Sequence, residues 1–236
     1  MSEEVQSDLK FEEAIAFTES LLHQIEAGEL SPEEIVEAIS TLVQTENGAR
    51  GFFVTYLASN NTLADHPSEQ VVQALRSNPE IVSELLVKNL AMSAAMTLTH
   101  HRDENEAMAQ GSERVRDRTA MLIKLVELNE IRDRCKQLLE SAVTGAGHYQ
   151  AFLDRWGYDA EQRQLICRVM ESVIGDKTFE ETEGEIESVI GQSTTDEIEN
   201  EEELVANSST ETTESEAQSA IAPSSTDAIE AEEETQ

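Results

Sequence analysis

The stretch ENGARGFFVTYLA, residues 46–58, carries residue types from which an anion site could be built. Gly48 and Gly51 flank Arg50, and the N–H groups of a glycine-rich turn together with a guanidinium can hold a phosphate or a carboxylate. The Gly-x-x-Gly spacing is a weak signal, because the full phosphate-loop motif is absent from the sequence. Asn47-Gly48 is also typical of a chain that leaves a helix in a left-handed conformation. The favoured interpretation is therefore a joint between two helices, with its aromatic residues in the core.

The stretch THHRDENEAM, residues 99–108, could supply a metal site, because it mixes imidazole and carboxylate ligands. His100 and Glu104 are four residues apart and are predicted to share a helix face. Both His100 and His101, however, continue apolar stripes at the end of a long helix, and the repeated Glu-x-x-His elements of a di-iron bundle are missing. We expect a helix end that passes into a polar turn, without a metal or another cofactor. A metal-binding or small-ligand-binding bundle that uses the cluster from His100 to Glu104 is the alternative.

A run of basic side chains follows: Arg114, Arg116, Arg118, Lys124, Arg132, Arg134 and Lys136. Acidic residues alternate with them, which is typical of a solvated surface with salt bridges. If the two helices that carry them form a hairpin, some of the arginines could share one patch, which would suit an acidic protein surface or the acidic end of the chain itself. We expect the partner face to consist of Arg114, Arg116, Arg118, Arg132 and Arg134, and Arg50 to be a separate anchor.

The sequence shows no catalytic constellation. Cys135 and Cys167 are the two cysteines, they form no Cys-x-x-Cys pair, and both lie on apolar stripes. The Gly-x-Ser-x-Gly elbow, the dinucleotide fingerprint and the His-Glu-x-x-His motif are all missing. We therefore expect a protein that is not an enzyme, in a reducing compartment.

The net charge of -33, from 49 acidic and 16 basic side chains, disfavours nucleic acid and anionic lipid as partners. Nucleic-acid binding through the basic helices of residues 114–136 is a second alternative, and it has to work against this field. The N-terminal sequence MSEEVQSDLKFEE is acidic and lacks the apolar core of a signal peptide. The apolar run LLVKNLAMSAAMTL is interrupted by Lys88 and is short for a bilayer span, so we expect no transmembrane segment and a cytoplasmic location.

The periodicity of apolar residues predicts an all-α domain over residues 9–175, a compact bundle of about eight helices. Ser31 with Glu34, and Asp159 with Gln162, have the spacing of capping boxes. Gly28 and Gly157 are expected to end helices. The segment that opens with Asn78-Pro79 is apolar on nearly all sides and is predicted to be the central helix.

The two ends of the chain differ from this domain. Residues 1–8 are predicted to be a flexible N-terminus. Residues 176–236 hold 20 acidic side chains and one lysine, with long runs of Glu, Ser, Thr and Ala. Such a composition buries too little apolar surface to offset the chain entropy, so we expect a disordered acidic tail. A solubilising appendage is its favoured role, and a regulatory arm is the alternative.

Three stretches, ENGARGFFVTYL, SELLVKNLAMSAAMTL and YQAFLDRWGYDAEQRQ, resemble a family of uncharacterised all-helical proteins from cyanobacteria. The resemblance covers about residues 33–174 and implies a bacterial cytoplasmic setting. It implies no activity, cofactor or catalytic residue. Together with the residue patterns, it leads us to expect a non-enzymatic adaptor, assembly or regulatory protein that binds a protein partner with an acidic surface.

Overall fold

The computed structural model describes residues 9–175, and this range forms nine α-helices and no strand. The helices, in chain order, are α1 (Phe11–Ala27), α2 (Pro32–Leu42), α3 (Glu46–Ala58), α4 (Glu69–Leu75), α5 (Pro79–Arg102), α6 (Glu106–Val126), α7 (Asn129–Thr144), α8 (Gln150–Trp156) and α9 (Ala160–Ile174). The all-α prediction is confirmed. The predictions for residues 1–8 and 176–236 lie outside the described residues.

Local sequence signals set most helix ends. Ser31 caps α2, where its hydroxyl accepts from the N–H of Glu34 and the Glu34 carboxylate accepts from the N–H of Ser31. Asp159 and Gln162 form the same reciprocal pair at the start of α9. Gly28 follows α1 with a φ of 67°, in the left-handed region that glycine adopts at low cost. These predicted caps are confirmed.

The centre of the fold is α5, which packs against α6, α7 and α9. With 24 residues, α5 is long and apolar enough, by length and composition alone, to cross a membrane. Of its most apolar window, however, 67% is buried inside the fold. Small residues such as Ala91, Ala94 and Ala95 are completely buried, which lets neighbouring helices approach closely. We therefore describe α5 as the core helix of this domain, as predicted.

The glycines of ENGARGFF lie inside α3 and do not form a loop. Thr45 caps α3 by accepting from the N–H of Gly48, so the helix begins at Glu46. A Cβ atom at Gly48 would lie 2.2 Å from the carbonyl oxygen of Leu42, and one at Gly51 would lie 2.5 Å from the Cβ of Ala14 on α1. The expected left-handed exit at Asn47-Gly48 is wrong, because both residues are helical. Gly51 instead permits the close contact between α3 and α1.

The hairpin that a shared arginine patch would require does not form. Helix α6 begins at Glu106 with Asn105 as its cap. It packs along α5 and also contacts α3 and α4. Helix α7 packs on α9 and α5, and the two basic helices are not packed along each other. The arginines of α6 and α7 therefore do not form one shared patch.

We predict that Gly51→Ala destabilises the fold by about 1–3 kcal/mol, because the added methyl meets the backbone of α1 as well as the Ala14 side chain. This overpacking exceeds the gain of up to about 1 kcal/mol that alanine brings to a helix. The matched control is Gly111→Ala in α6, where an added Cβ meets nothing within 4 Å. Urea unfolding followed by circular dichroism should show a loss for the first variant and a small gain for the second. Equal effects would contradict the close contact.

Candidate functional site

Arg118 on α6 is one of the predicted partner-binding residues, but it is 4% exposed. Its Nη1 donates to the carbonyl oxygens of Leu57 at 2.9 Å and Ser59 at 2.7 Å, and its Nη2 donates to the carbonyl oxygen of Asn61 at 2.9 Å. Its Nε donates to the carboxylate of Asp65 at 2.6 Å. This hydrogen bond holds the pKa of Asp65 below its ordinary value. Arg118 therefore fixes the end of α3 and the loop that follows it.

The other two arginines of α6 have different surroundings. Arg116 is 5% exposed, and its Nε lies 2.8 Å from a carboxylate oxygen of Asp117. Arg114 is half-buried, and its Nη1 lies 3.4 Å from the side-chain oxygen of Asn60. The prediction that all three project from a partner face is wrong for Arg116 and Arg118, because the fold buries them.

Arg134 belongs to a polar network between α7 and α5. Its guanidinium forms ion pairs with Glu80 and Glu84. Glu84 also accepts a hydrogen bond of 2.6 Å from the hydroxyl of buried Tyr149, and the ammonium of Lys88 lies 2.9 Å from its carboxylate. Burial raises the pKa of Glu84, but the hydrogen bonds from Tyr149 and Lys88 outweigh burial, and the resulting pKa is lowered. The ion pairs of Arg134 thus hold α7 against α5.

The remaining predicted arginines are isolated from one another. Arg132 is exposed on α7 and makes no ion pair within the described part of the chain. Arg50 is half-buried on α3, and its guanidinium carbon lies 5.1 Å from the centroid of the Phe11 ring. A cation–π contact at a partly exposed position contributes about 0.5–1 kcal/mol, so Arg50 helps to hold α1 on α3.

The histidine stretch does not assemble into a metal site. Helix α5 ends at Arg102, and Glu104 has a φ of 54°, so His100 and Glu104 do not share a helix face as expected. His101 lies between two carboxylates, with Nδ1 3.6 Å from Glu106 and Nε2 3.4 Å from Glu113. Among residues 9–175, no group of three or more His, Cys, Asp or Glu side chains could hold a metal ion.

The cysteines lie in the protein interior. Cys135 is fully buried, and burial raises the pKa of its thiol to about 12. Cys167 is half-buried, and burial followed by the charge of Glu171 raises its pKa as well. Because the thiolate is the reactive form, both side chains are poor nucleophiles at neutral pH.

A surface groove that the sequence patterns do not predict lies between α1 and α2. Helix α1 packs mainly on α3, whereas α2 packs mainly on α4, and this arrangement leaves a gap between them. The gap is an open groove of about 270 Å³. Helix α1 lines it with Phe17, Ser20, Leu21 and Gln24, and the opposite wall consists of Leu30, Glu34, Glu37 and Ala38. Phe17 is 48% exposed, which is a large exposure for a phenylalanine.

The helices that form this groove carry charge of one sign. Residues 11–42 contain eight acidic side chains and no lysine or arginine. All eight carboxylates are exposed: Glu12, Glu13, Glu19, Glu26, Glu29, Glu33, Glu34 and Glu37. The pKa of Glu34 is lowered by its hydrogen bonds with Ser31, so this carboxylate is ionised at neutral pH. We call this surface, with its apolar floor and glutamate rim, the acidic groove.

Two sequence signals could have found the acidic groove. Phe17 lies off the apolar stripe of α1, which consists of Phe11, Ile15, Leu22 and Ile25. The absence of any basic residue from 11–42 is visible in the sequence as well. Neither signal shows that α1 and α2 pack on different neighbours, and this tertiary arrangement is what opens the groove.

We predict that Arg118→Gln lowers the free energy of unfolding by about 2–4 kcal/mol, because several buried carbonyl oxygens lose a charged donor. Arg132→Gln is the matched control, and it should change stability by less than about 0.5 kcal/mol because the side chain is exposed and unpaired. Urea unfolding of both variants checks the difference. Similar values for the two variants would show that Arg118 does not fix the loop after α3.

We predict that the stabilising effect of Glu84 depends on pH. Since its pKa is lower in the folded protein, its contribution is present above the ordinary carboxyl range of about 4 and is lost as the pH falls through the lower folded value. Glu84→Gln should therefore be less stable than the unsubstituted chain at neutral pH, and the difference should shrink in acid. Exposed Glu140→Gln is the control and should show no such trend. A difference that is constant between neutral pH and pH ~3 would contradict the network.

Among known proteins, the chain matches a protein family. No curated protein and no solved structure matches the chain. The family described as uncharacterised conserved protein UCP020893 matches residues 10–173, a range that contains all nine helices apart from the last residue of α9. The nine-helix domain is thus the part of the chain that the family shares, and the protein belongs to this uncharacterised conserved family.

Proposed function

We propose that this protein is a non-enzymatic helical protein that binds another protein through the acidic groove. The observation that carries the proposal is the exposure of Phe17 above an apolar floor, within a surface where every formal charge is negative. Exposed apolar surface with a polar rim is typical of protein-binding sites. The same combination provides affinity through the floor and orientation through the rim.

The size of the acidic groove favours a protein side chain over a small molecule. Pockets for small ligands enclose about 300–1,000 Å³ and bury most of the ligand surface. The groove has about 270 Å³, at the lower limit of this range, and is open to solvent. It is therefore suited to one or two apolar side chains that project from a larger partner.

The arginines give less support to the expected partner with an acidic surface. Arg116 and Arg118 are buried, Arg134 is paired with carboxylates, and Arg132 stands alone. Nucleic-acid binding through α6 and α7 loses support for the same reason, and the global charge opposes it as well. We propose instead a partner whose contact surface is basic.

The non-enzymatic part of the proposal is supported by the sequence, which has no catalytic motif, and by the burial of Cys135. The resemblance to cyanobacterial proteins supports a bacterial cytoplasmic setting for this binding activity. An adaptor, assembly or regulatory role is consistent with a small helical domain that carries an open apolar groove.

We predict that a Phe17→Ser, Glu37→Gln double variant of the full chain loses its protein partner. The expected loss is at least about tenfold in affinity, since truncation of an aromatic anchor costs about 2 kcal/mol at such interfaces and the loss of a rim charge adds a smaller amount. The partner is captured from native lysate, identified by mass spectrometry, purified and titrated against both forms by calorimetry.

The matched control is Met121→Ser with Glu140→Gln, which removes an exposed apolar side chain and a carboxylate from α6 and α7. This variant should bind as the unsubstituted chain does. If the partner is lost with Arg132→Glu and kept with the groove variant, the acidic groove is not the binding site. If no protein is captured by the full chain, the protein-binding proposal fails.

A further inference from the structure

We infer that the occupant of the acidic groove is a basic amphipathic helix of the partner, about two turns of which lie between α1 and α2. This inference rests on the proposed function and adds the chemistry of the segment that binds. It assigns an apolar face to the floor of the groove, and lysine or arginine side chains to the rim.

The walls of the groove have helical spacing. Phe17, Ser20, Leu21 and Gln24 are at positions i, i+3, i+4 and i+7 of α1, so together they form one continuous face. Seven residues of helix advance by about 10 Å, which sets the length of the contact at about two turns. Glu34, Glu37 and Ala38 form one turn of the facing wall on α2.

A helix is the secondary structure that fits a groove between two helices. Between two helices, the partner has no strand edge to pair with, so its own backbone N–H and C=O groups must bond within the segment. A helix meets this requirement and presents apolar side chains at the same i, i+3, i+4 and i+7 positions as the walls. An apolar residue of the partner can then pack beside Phe17, on the open side of the ring.

The charge of the rim selects the basic character. Glu34 and Glu37 line the groove. Five further exposed glutamates lie on the same two helices and Glu29 lies between them, without any lysine or arginine in residues 11–42. Lysine and arginine side chains that flank an apolar stripe would reach these carboxylates, with their aliphatic stems packed along the groove edge. An acidic or neutral helix would leave the negative charge of these glutamates without a positive partner.

The charge also disfavours occupants from the chain itself. Residues 1–8 hold three acidic and no basic side chains, and residues 176–236 hold 20 acidic side chains and one lysine. Either segment would be repelled by the eight glutamates of residues 11–42. A second copy would present the same acidic groove to the first, and this pairing of like charges is unfavourable for a symmetric dimer through this face.

The test uses three synthetic peptides of 14 residues with the full-length protein. The first is a leucine and lysine peptide with leucines at helical spacing, the second has the same composition in scrambled order, and the third replaces each lysine by glutamate. Fluorescence anisotropy at near-physiological salt is expected to show binding of the first, at least about tenfold weaker binding of the scrambled peptide, and no binding of the acidic one. Binding of the first peptide should weaken as salt is raised, because salt screens the rim charges.

Matched variants locate the binding. Glu34→Gln with Glu37→Gln keeps a side chain at position 34 that can serve in the capping box, and Phe17→Ser removes the aromatic anchor. Each of these two groove variants is expected to lower the affinity for the basic peptide by about fivefold or more. The control variants, Glu130→Gln with Glu140→Gln and Val143→Ser, should leave this affinity unchanged. Circular dichroism of each variant confirms that the helical fold is kept.

Several outcomes would overturn the inference. Equal affinities for the helical and scrambled basic peptides would show general attraction to an acidic chain and no helix-binding groove. Equal losses in the groove variants and in the Glu130, Glu140 control would lead to the same conclusion. If residues 1–8 or 176–236 occupy the groove, their removal should strengthen peptide binding at least about threefold, and this result would replace the partner helix by a segment of the chain. A natural partner that needs Phe17 but binds through a loop or a strand would overturn this inference and leave the proposed function intact.

Discussion

The guanidinium of Arg118 is the contact on which the connection between α3 and α4 depends. It donates to three carbonyl oxygens and one carboxylate at the point where α3 ends, so the loop from α3 to α4 is held by one side chain of α6. A carbonyl cluster that is buried without such a donor would be costly. Arg134 has the same role between α7 and α5. The chain thus uses its scarce positive charge to hold helices together.

The charge of the surface is uneven. The chain has 16 basic residues against 49 acidic ones, and several of the basic residues are committed to contacts inside the domain. Helices α1 and α2 carry no basic residue at all except for His23, which is neutral in this count. Their glutamates are therefore left without compensation beside an exposed apolar floor. A groove with this composition is complementary to a basic amphipathic segment.

Much of the fold could be predicted from local sequence signals. Capping boxes such as Ser31 with Glu34, left-handed glycines such as Gly28, and the apolar period of α5 act over three to seven residues, and the structure follows them. The predictions that are wrong concern residues whose contacts are distant in the sequence. From the sequence, Gly51 is interpreted as part of a joint between helices, but in the structure it lies against Ala14 of α1. Arg118 is predicted to be a surface charge, but the loop after α3 surrounds it. The groove depends on the different packing partners of α1 and α2, which no short pattern encodes.

The most direct test of the account is a methyl NMR titration of the full chain, labelled at leucine and alanine methyl groups, with the basic amphipathic peptide. Binding in the acidic groove predicts saturable shifts at Leu21, Leu30 and Ala38, while methyl groups of α7 such as Ala142 stay unchanged. Shifts centred on α6 and α7, or small shifts spread over the whole surface, would contradict the claim that α1 and α2 form the binding site.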